Sequence, residues 1–402
     1  MSALHHNLDL PEPSTDLAEH SERVQDFIRE VIEQGGGEIP FCHFMELALY
    51  APNLGYYSAG NQKLGVGGDF VTAPEISSLF SFSLAKQVAQ ILQKSAGDVI
   101  EFGAGSGIMA ADMLLELERL GQLPEHYYII EVSADLRQRQ QQTMQNKIPE
   151  LANRVEWLDE LPDLFSGVVV ANELLDAMPV HRFVMREGVA HEVMVAWDEL
   201  TGQFQTTERL ITNPRLLAEI EELQQLYALP DGYSSELNLN AIDWVSTMGE
   251  RLQTGAIILI DYGYPRHDYY LPQRTDGTLL CHYQHRAHPN PLIFVGIQDI
   301  TAHVNFTAIA DAALSARLHV HGFASQSNFL LGCGITDYLS KLIQFDATDD
   351  SGNLARQIEA TNQLKKLTMP DEMGESFKVI CLSRGIDIPL LGFSIRDERH
   401  RL

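Results

Sequence analysis

Residues 98–107 constrain the fold more than any other stretch. A short apolar run, Asp98-Val99-Ile100-Glu101-Phe102, meets Gly103-Ala104-Gly105-Ser106-Gly107, and Ile108 to Leu120 then shows helical spacing. Glycines at such a junction admit positive φ and let the main chain approach a ligand closely. The rhythm continues: Tyr127 to Val132 is a second apolar run followed by a Gln-rich helical stretch, Val155 to Leu158 a third, Gly167 to Ala171 a fourth and Ala256 to Ile260 a fifth. Continuous apolar strands alternating with helices predict an α/β fold, a doubly wound parallel sheet covered on both faces. His319 to Gln326 and Phe377 to Ser383 are the remaining strand candidates.

Around this core the pattern differs. Residues 21–34 and 41–50 read as helices, 53–74 as an ordered Gly- and aromatic-rich loop, and Glu75 to Lys94 as one long helix entered through Pro74. Residues 184–210 read as a β excursion, 213–252 as mainly helical, and Gln298 to Leu318 as a helix with an irregular start. The expected domains are an N-terminal helical and loop cap over 1–95, a core over 96–183 and 253–402, and an inserted α+β cover over 184–252.

In a doubly wound sheet the first strand–helix turn lies at the carboxyl edge, where ligands bind. Glu131 ends the second strand, where a carboxylate can accept two hydrogen bonds from a ribose diol. A dinucleotide loop wants its third glycine at the sixth position, but Ile108 stands there and glycine falls at the fifth. Together with the acid Glu101, this favours S-adenosylmethionine (SAM), whose amino acid end asks for hydrogen bonds. A tight turn without ligand and a dinucleotide site stay open as alternatives. Thr72, Pro74 and Glu75 open a helix whose amides suit the cofactor carboxylate or serve only as a cap.

The fourth strand runs into Ala171-Asn172-Glu173-Leu174-Leu175-Asp176-Ala177-Met178-Pro179. Polar groups at this edge would face the reacting methyl. Methyl transfer from a sulfonium is an in-line displacement that asks chiefly for alignment. If the acceptor is arginine, its guanidinium is protonated beforehand, and Glu173 or Asp176 can orient it and take the lost proton. Capping of the next segment is the plainer role.

Composition narrows the partners. The formal charge of −27 opposes nucleic acid and anionic lipid and favours a basic partner. Four separated cysteines, Cys42, Cys281, Cys333 and Cys381, argue against a disulfide framework or zinc knuckle. Met1 to His20 lacks Lys and Arg, unlike a secretory or transit leader, and no apolar run suits a membrane span, so cytoplasm is expected. His282, His285 and His288 recur every third residue without a completing ligand, so no metal is expected; a plain surface loop is the first reading and a polar loop lining the substrate channel the second.

Several blocks together resemble the MidA-type family of SAM-dependent methyltransferases, which includes a mitochondrial methyltransferase that assists complex I assembly. They are Leu54-Gly55-Tyr56-Tyr57, Gly68 through Ser77, Glu101 to Gly107, Glu131-Val132-Ser133, Ala171 through His181, Asp261-Tyr262-Gly263-Tyr264, Gly277-Thr278-Leu279, Asp299 through Phe306, Met373-Gly374 and Phe377-Lys378-Val379. The resemblance spans about residue 21 to residue 384. It implies a class I (Rossmann-like) SAM-methyltransferase core, seven-stranded with its last strand antiparallel, under an extra helical and β cover. It also implies protein arginine methylation, symmetric dimethylation in the mitochondrial member. The departures are Asn305, where an acid is expected, and Ala104 and Ser106, where Pro and Arg are expected.

The resulting assignment places SAM against Glu101, Gly103, Gly105, Gly107, Glu131, Thr72, Glu75 and Asn172. Glu173, Asn172, Asp176, His303 and Asn305 are the catalytic candidates. The expected partner is a basic or arginine-bearing protein segment, with no nucleic acid, no membrane insertion and a homodimer as an option. The competing readings are a SAM-binding assembly chaperone without catalysis and a small-molecule methyltransferase.

Overall fold

The computed structural model describes residues 10–59, 71–345 and 350–402. The glycines at 60, 65, 67 and 68 and the Asp69-Phe70 pair of the resemblance blocks lie outside the described residues. The chain divides into two compact units, one built from 1–70, 175–243 and 266–304, the other from 71–174, 244–265 and 305–402.

The second unit carries the parallel sheet. Seven of its eight strands among the described residues are β1 (Asp98–Phe102), β2 (Tyr127–Ile130), β3 (Val155–Leu158), β4 (Phe165–Asn172), β5 (Leu252–Tyr264), β6 (His319–Ser325) and β7 (Phe377–Arg384); the eighth, the two-residue Val304–Asn305, pairs with β5. The spatial order of those seven is β3-β2-β1-β4-β5-β7-β6. The pairings from β3 through β5 are parallel, and β7 runs antiparallel to both β5 and β6. The order reverses between β1 and β4, which places a crevice at the carboxyl ends of those strands. Val99, Ile100, Val168, Val169, Val170 and Ala256 to Ile260 are buried, as a sheet covered on both faces requires.

Among the helices that flank the sheet are α1 (Ser78–Ser95), α2 (Ile108–Arg119) and α3 (Ala134–Lys147). The single helix expected over 75–94 is broken. A four-residue turn, Ala73–Ile76, ends at Ser77, whose extended backbone (φ −163°, ψ 140°) starts α1 and whose hydroxyl accepts from the Leu79 amide. Serine satisfies helix-start amides better than it fills a helix interior, so it punctuates the run.

The first unit is built differently. Glu38–Pro40, Val189–Asp198, His181–Arg186 and Ser234–Leu237 lie side by side, and Gln203–Leu210 also pairs with Val189–Asp198. All of these pairings are antiparallel. Helices Thr15–Gln34 and Phe41–Tyr50 bury Val24, Ile28, Phe41 and Phe44 in a core shared with Val195, Val295 and Ile300. A smaller sheet joins Arg286–His288, Leu280–Tyr283 and Asp299–Thr301. Gln284 and His285, both at positive φ, turn the first two of these strands back on each other, as two-residue hairpins require. This hairpin accounts for the histidine run: His282 and His288 stand on its strands and His285 in its turn.

Two further expectations are corrected. Asp299–Thr301 is a buried strand paired with Leu280–His282, and the helix begins only at Phe306. Ser234–Leu237 is a strand inside a stretch expected to be mainly helical, because His181–Val184 offers it a paired edge. The two compact units group residues 71–95 with the parallel sheet and 266–304 with the antiparallel one.

Candidate functional site

The glycine loop leaves β1 with Gly103, Gly105 and Gly107 all at positive φ, and Gly107 (φ 82°) caps α2 in the left-handed region. A β-carbon at Gly107 would stand 3.1 Å from the Gln140 backbone and 3.0 Å from Met144 Cε. Both conformation and crowding therefore demand glycine there. The Ser106 hydroxyl donates to Glu75, and Thr143 Oγ1 donates to the Ser106 carbonyl (2.7 Å). The loop is thus pinned from both sides.

Glu131 follows β2 and is only 6% exposed. One carboxylate oxygen accepts from the Ser133 amide and the other from Gln140 Nε2, each at 3.0 Å. Burial pushes its pKa up, and those two donors hold it back. Gln140 Nε2 also donates to the Gly105 carbonyl (3.1 Å), and its Oε1 accepts from the Trp157 indole (2.8 Å).

Glu101, at the end of β1, is 1% exposed. The Tyr127 hydroxyl donates to its Oε2 at 2.5 Å. Burial raises its pKa to about 7, Tyr127 opposes that, and the nearby Glu131 charge adds to it. Its other oxygen is buried without a hydrogen-bond partner among the described residues, and so is Asn172 Oδ1 at the end of β4. Two orphaned acceptors at one sheet edge are costly unless a ligand supplies donors. The ammonium of SAM is such a donor, so the residues fit the cofactor.

Past β4, Asn172 Nδ2 donates to Glu173 Oε1 (2.9 Å), and the Glu173 amide donates to the Ile260 carbonyl of β5 (2.9 Å). Glu173 sits at φ 52°, a conformation L-residues avoid. Strain of this kind persists where surroundings impose it, typically at functional positions.

The structure does not gather every candidate here. Asp176 and His303 belong to the first unit. Asp176 is buried, and its carbonyl accepts from the Ala302 amide (2.9 Å). The His303 amide donates to Thr278 Oγ1 (3.1 Å); burial, then the Arg274 charge, lowers its imidazole pKa to about 4. Asn305 is the N-cap of Phe306–Ser315, its Oδ1 accepting from the Ala308 amide (3.2 Å). An aspartate caps equally well, so Asn here preserves the local structure. Thr72 is extended before Ala73 and makes no side-chain cap. Gln140, Tyr127 and Trp157 went unread in the sequence. Gln140 hides among Gln138, Gln141 and Gln142, although it stands four residues from both Leu136 and Met144 on the buried stripe of α3.

A doubly wound sheet in the order β3-β2-β1-β4-β5-β7-β6, with an acid-lined crevice at its switch point, defines a class I SAM-dependent methyltransferase. Residues 83–324 match the family model of S-adenosyl-L-methionine-dependent methyltransferases, and the chain belongs to that family. A solved structure from Burkholderia thailandensis, bound to S-adenosyl-homocysteine, is 43% identical, with 98% of this chain and 100% of that one covered and a TM-score of 0.92. The mitochondrial protein arginine methyltransferase NDUFAF7 homolog of Drosophila melanogaster is 28% identical over 89% of this chain and 86% of its own length. NDUFAF7 of Homo sapiens is 26% identical over 86% and 80%. SAM is accordingly the cofactor. No helix among the described residues is long and apolar enough to cross a membrane.

Proposed function

We propose that this methyltransferase acts on an arginine side chain of a protein substrate. The observation that carries the reading is Glu173: a carboxylate at the end of β4, held in left-handed backbone by β5 and oriented by Asn172. The names of the mitochondrial relatives support the same acceptor.

When bound, SAM supplies an electrophilic methyl group on a sulfonium. The chain's part is to hold and align. Glu131 accepts the ribose hydroxyls, Glu101 and Asn172 accept from the ammonium, and Gly103, Gly105 and Gly107 let the backbone come close. Glu75 acts through its bond with Ser106, and the Thr72 region serves the cofactor's carboxylate end. Glu173 pairs with the guanidinium and takes the proton that leaves as the new N–C bond forms, since free guanidinium has no available lone pair at neutral pH. Asp176 and His303, the latter neutral at pH 7 because burial lowers its pKa, are proposed for acceptor recognition. The cap made by Asn305 accounts for that residue without a proton-transfer role.

Two measurements test this. Radiolabelled methyl from SAM, incubated with lysate of cells lacking the gene, should appear in protein and be recovered as methylarginine after acid hydrolysis. Label confined to a low-mass fraction, or none at all, would overturn the reading. Glu173→Gln should lower the transfer rate by roughly a hundredfold or more, the usual scale for a proton acceptor, while S-adenosyl-homocysteine affinity stays within about threefold of wild type.

A further inference from the structure

We infer that Gln140 is a positioning residue for the cofactor's ribose, its side-chain amide fixing the Glu131 carboxylate and the glycine loop to each other through a single nitrogen. The inference rests on the reading that Glu131 accepts the ribose hydroxyls.

The geometry leaves little freedom. An indole N–H only donates, so the Gln140 atom 2.8 Å from Trp157 Nε1 must be the carbonyl oxygen. The amide nitrogen therefore faces the other way, where both neighbours are acceptors: Glu131 Oε2 at 3.0 Å and the Gly105 carbonyl at 3.1 Å. Both of its hydrogens are used. Gln140 is fully buried, so no water replaces either bond if the side chain is shortened.

The consequence falls on Glu131. Each carboxylate oxygen has two lone-pair sites. The Ser133 amide occupies one on Oε1 and Gln140 one on Oε2, which stops rotation of the group and leaves one site on each oxygen. That is the number a vicinal diol needs. Without Gln140, the carboxylate keeps only the neighbouring backbone amides of Ser133 and Val132 among its described donors, and the Gly105 carbonyl loses the side-chain donor that ties the loop to α3. The charged groups around this cluster are Glu101 on β1, whose charge acts on Glu131, and Arg137 on α3, which donates to the Glu131 carbonyl at 2.9 Å. Trp157 on β3 contributes no charge.

The test is calorimetry on the full chain with two probes, S-adenosyl-homocysteine and its 2′,3′-dideoxyribose analogue. Gln140→Met should weaken S-adenosyl-homocysteine on the order of tenfold, the scale of a hydrogen bond to a charged group, and change the dideoxy analogue by less than about twofold. Gln140→Glu keeps an acceptor for Trp157 but sets a second carboxylate against Glu131. The pair then shares a proton at low pH. Its affinity relative to wild type should be low at pH 8 and recover at pH 6, where the protonated carboxyl donates to Glu131 in place of the amide. Merely loosened packing would show no such recovery, and this variant carries the test should Gln140→Met fail to fold. Equal loss of both probes, no loss of either, or a pH-independent Gln140→Glu would overturn the inference. Glu131→Gln separates the two levels. If it discriminates against S-adenosyl-homocysteine and Gln140→Met does not, only the role of Gln140 falls; if it binds both probes as wild type does, the ribose reading falls and takes this one with it.

Discussion

The two units bury acids for opposite ends. In the antiparallel unit, Glu236 is fully buried, accepts from both the amide (2.8 Å) and hydroxyl (3.1 Å) of Thr278, and has the Arg182 guanidinium 3.9 Å away. His181 and Glu192 pair at 2.8 Å in the same unit, and the Tyr57 hydroxyl donates to both oxygens of Asp299. Glu236 Oε1 accepts no hydrogen bond among the described residues but faces the Arg182 charge. In the parallel unit Glu101 Oε1 and Asn172 Oδ1 are also buried without a donor, and the charge acting on Glu101 is that of Glu131, another acid. A buried acid with its own counter-charge helps hold a fold together, whereas acceptors left open at a strand terminus without one wait for a ligand. A buried acid is thus informative only once its partners are counted.

The sharpest way to break this contrast is Glu236→Leu. It leaves Arg182 without its carboxylate and should cost about 3–5 kcal/mol, the usual effect of removing one partner of a buried pair. Urea unfolding should show the loss, while the folded fraction should bind S-adenosyl-homocysteine as wild type does. Lost binding with unchanged stability would reverse the roles assigned to the two units.

Next in size is Glu101→Gln. A carboxyl whose folded pKa is raised from 4.5 to about 7 binds its proton more tightly when folded. Stability is then highest below the unfolded pKa, falls as pH rises between the two values, and stays reduced above pH 7. The shift corresponds to an upper figure of about 3 kcal/mol. The ligand-free variant should therefore melt higher than wild type at pH 8 and equally at pH 4. It should also bind S-adenosyl-homocysteine more weakly at pH 8, because the charged partner of the ammonium is gone. A variant that melts lower at pH 8 would mean that Glu101 already has a counter-charge in the free protein.

The smallest effect expected is at Asn305. Loss of the cap in Asn305→Ala should cost about 1 kcal/mol, and Asn305→Asp should retain the stability. If Asn305→Asp instead raised the methyl-transfer rate tenfold, the position would belong to the chemistry and not only to the helix.

The parallel unit was the more legible of the two in sequence, for a physical reason. Its strands are buried on both faces and appear as uninterrupted apolar runs, so Asp98–Phe102 and Val155–Leu158 were read to the residue. The antiparallel unit owes more to partners distant in the chain. Asp299–Thr301 is a strand because Leu280–His282 lies beside it, and Ser234–Leu237 because His181–Val184 does. The site divides the same way. Glycines and terminal acids announce themselves through conformation and charge, whereas Gln140 is a common polar residue whose importance comes from burial and from Trp157, 17 positions on. Ser77 broke a helix that apolar spacing alone would have continued.

The antiparallel β7 has a consequence for how such a chain must be made. It wedges between β5 and β6, yet both neighbours are synthesised before it. While the nascent chain emerges, β5 offers a long edge rich in Ile and Leu with unpaired amides and carbonyls, open to any other strand in the cell. Only when residues 377–384 clear the ribosome can that edge be sealed, so an interruption of translation within the preceding helices would leave a sticky intermediate, a substrate for chaperones, in place of a shortened enzyme.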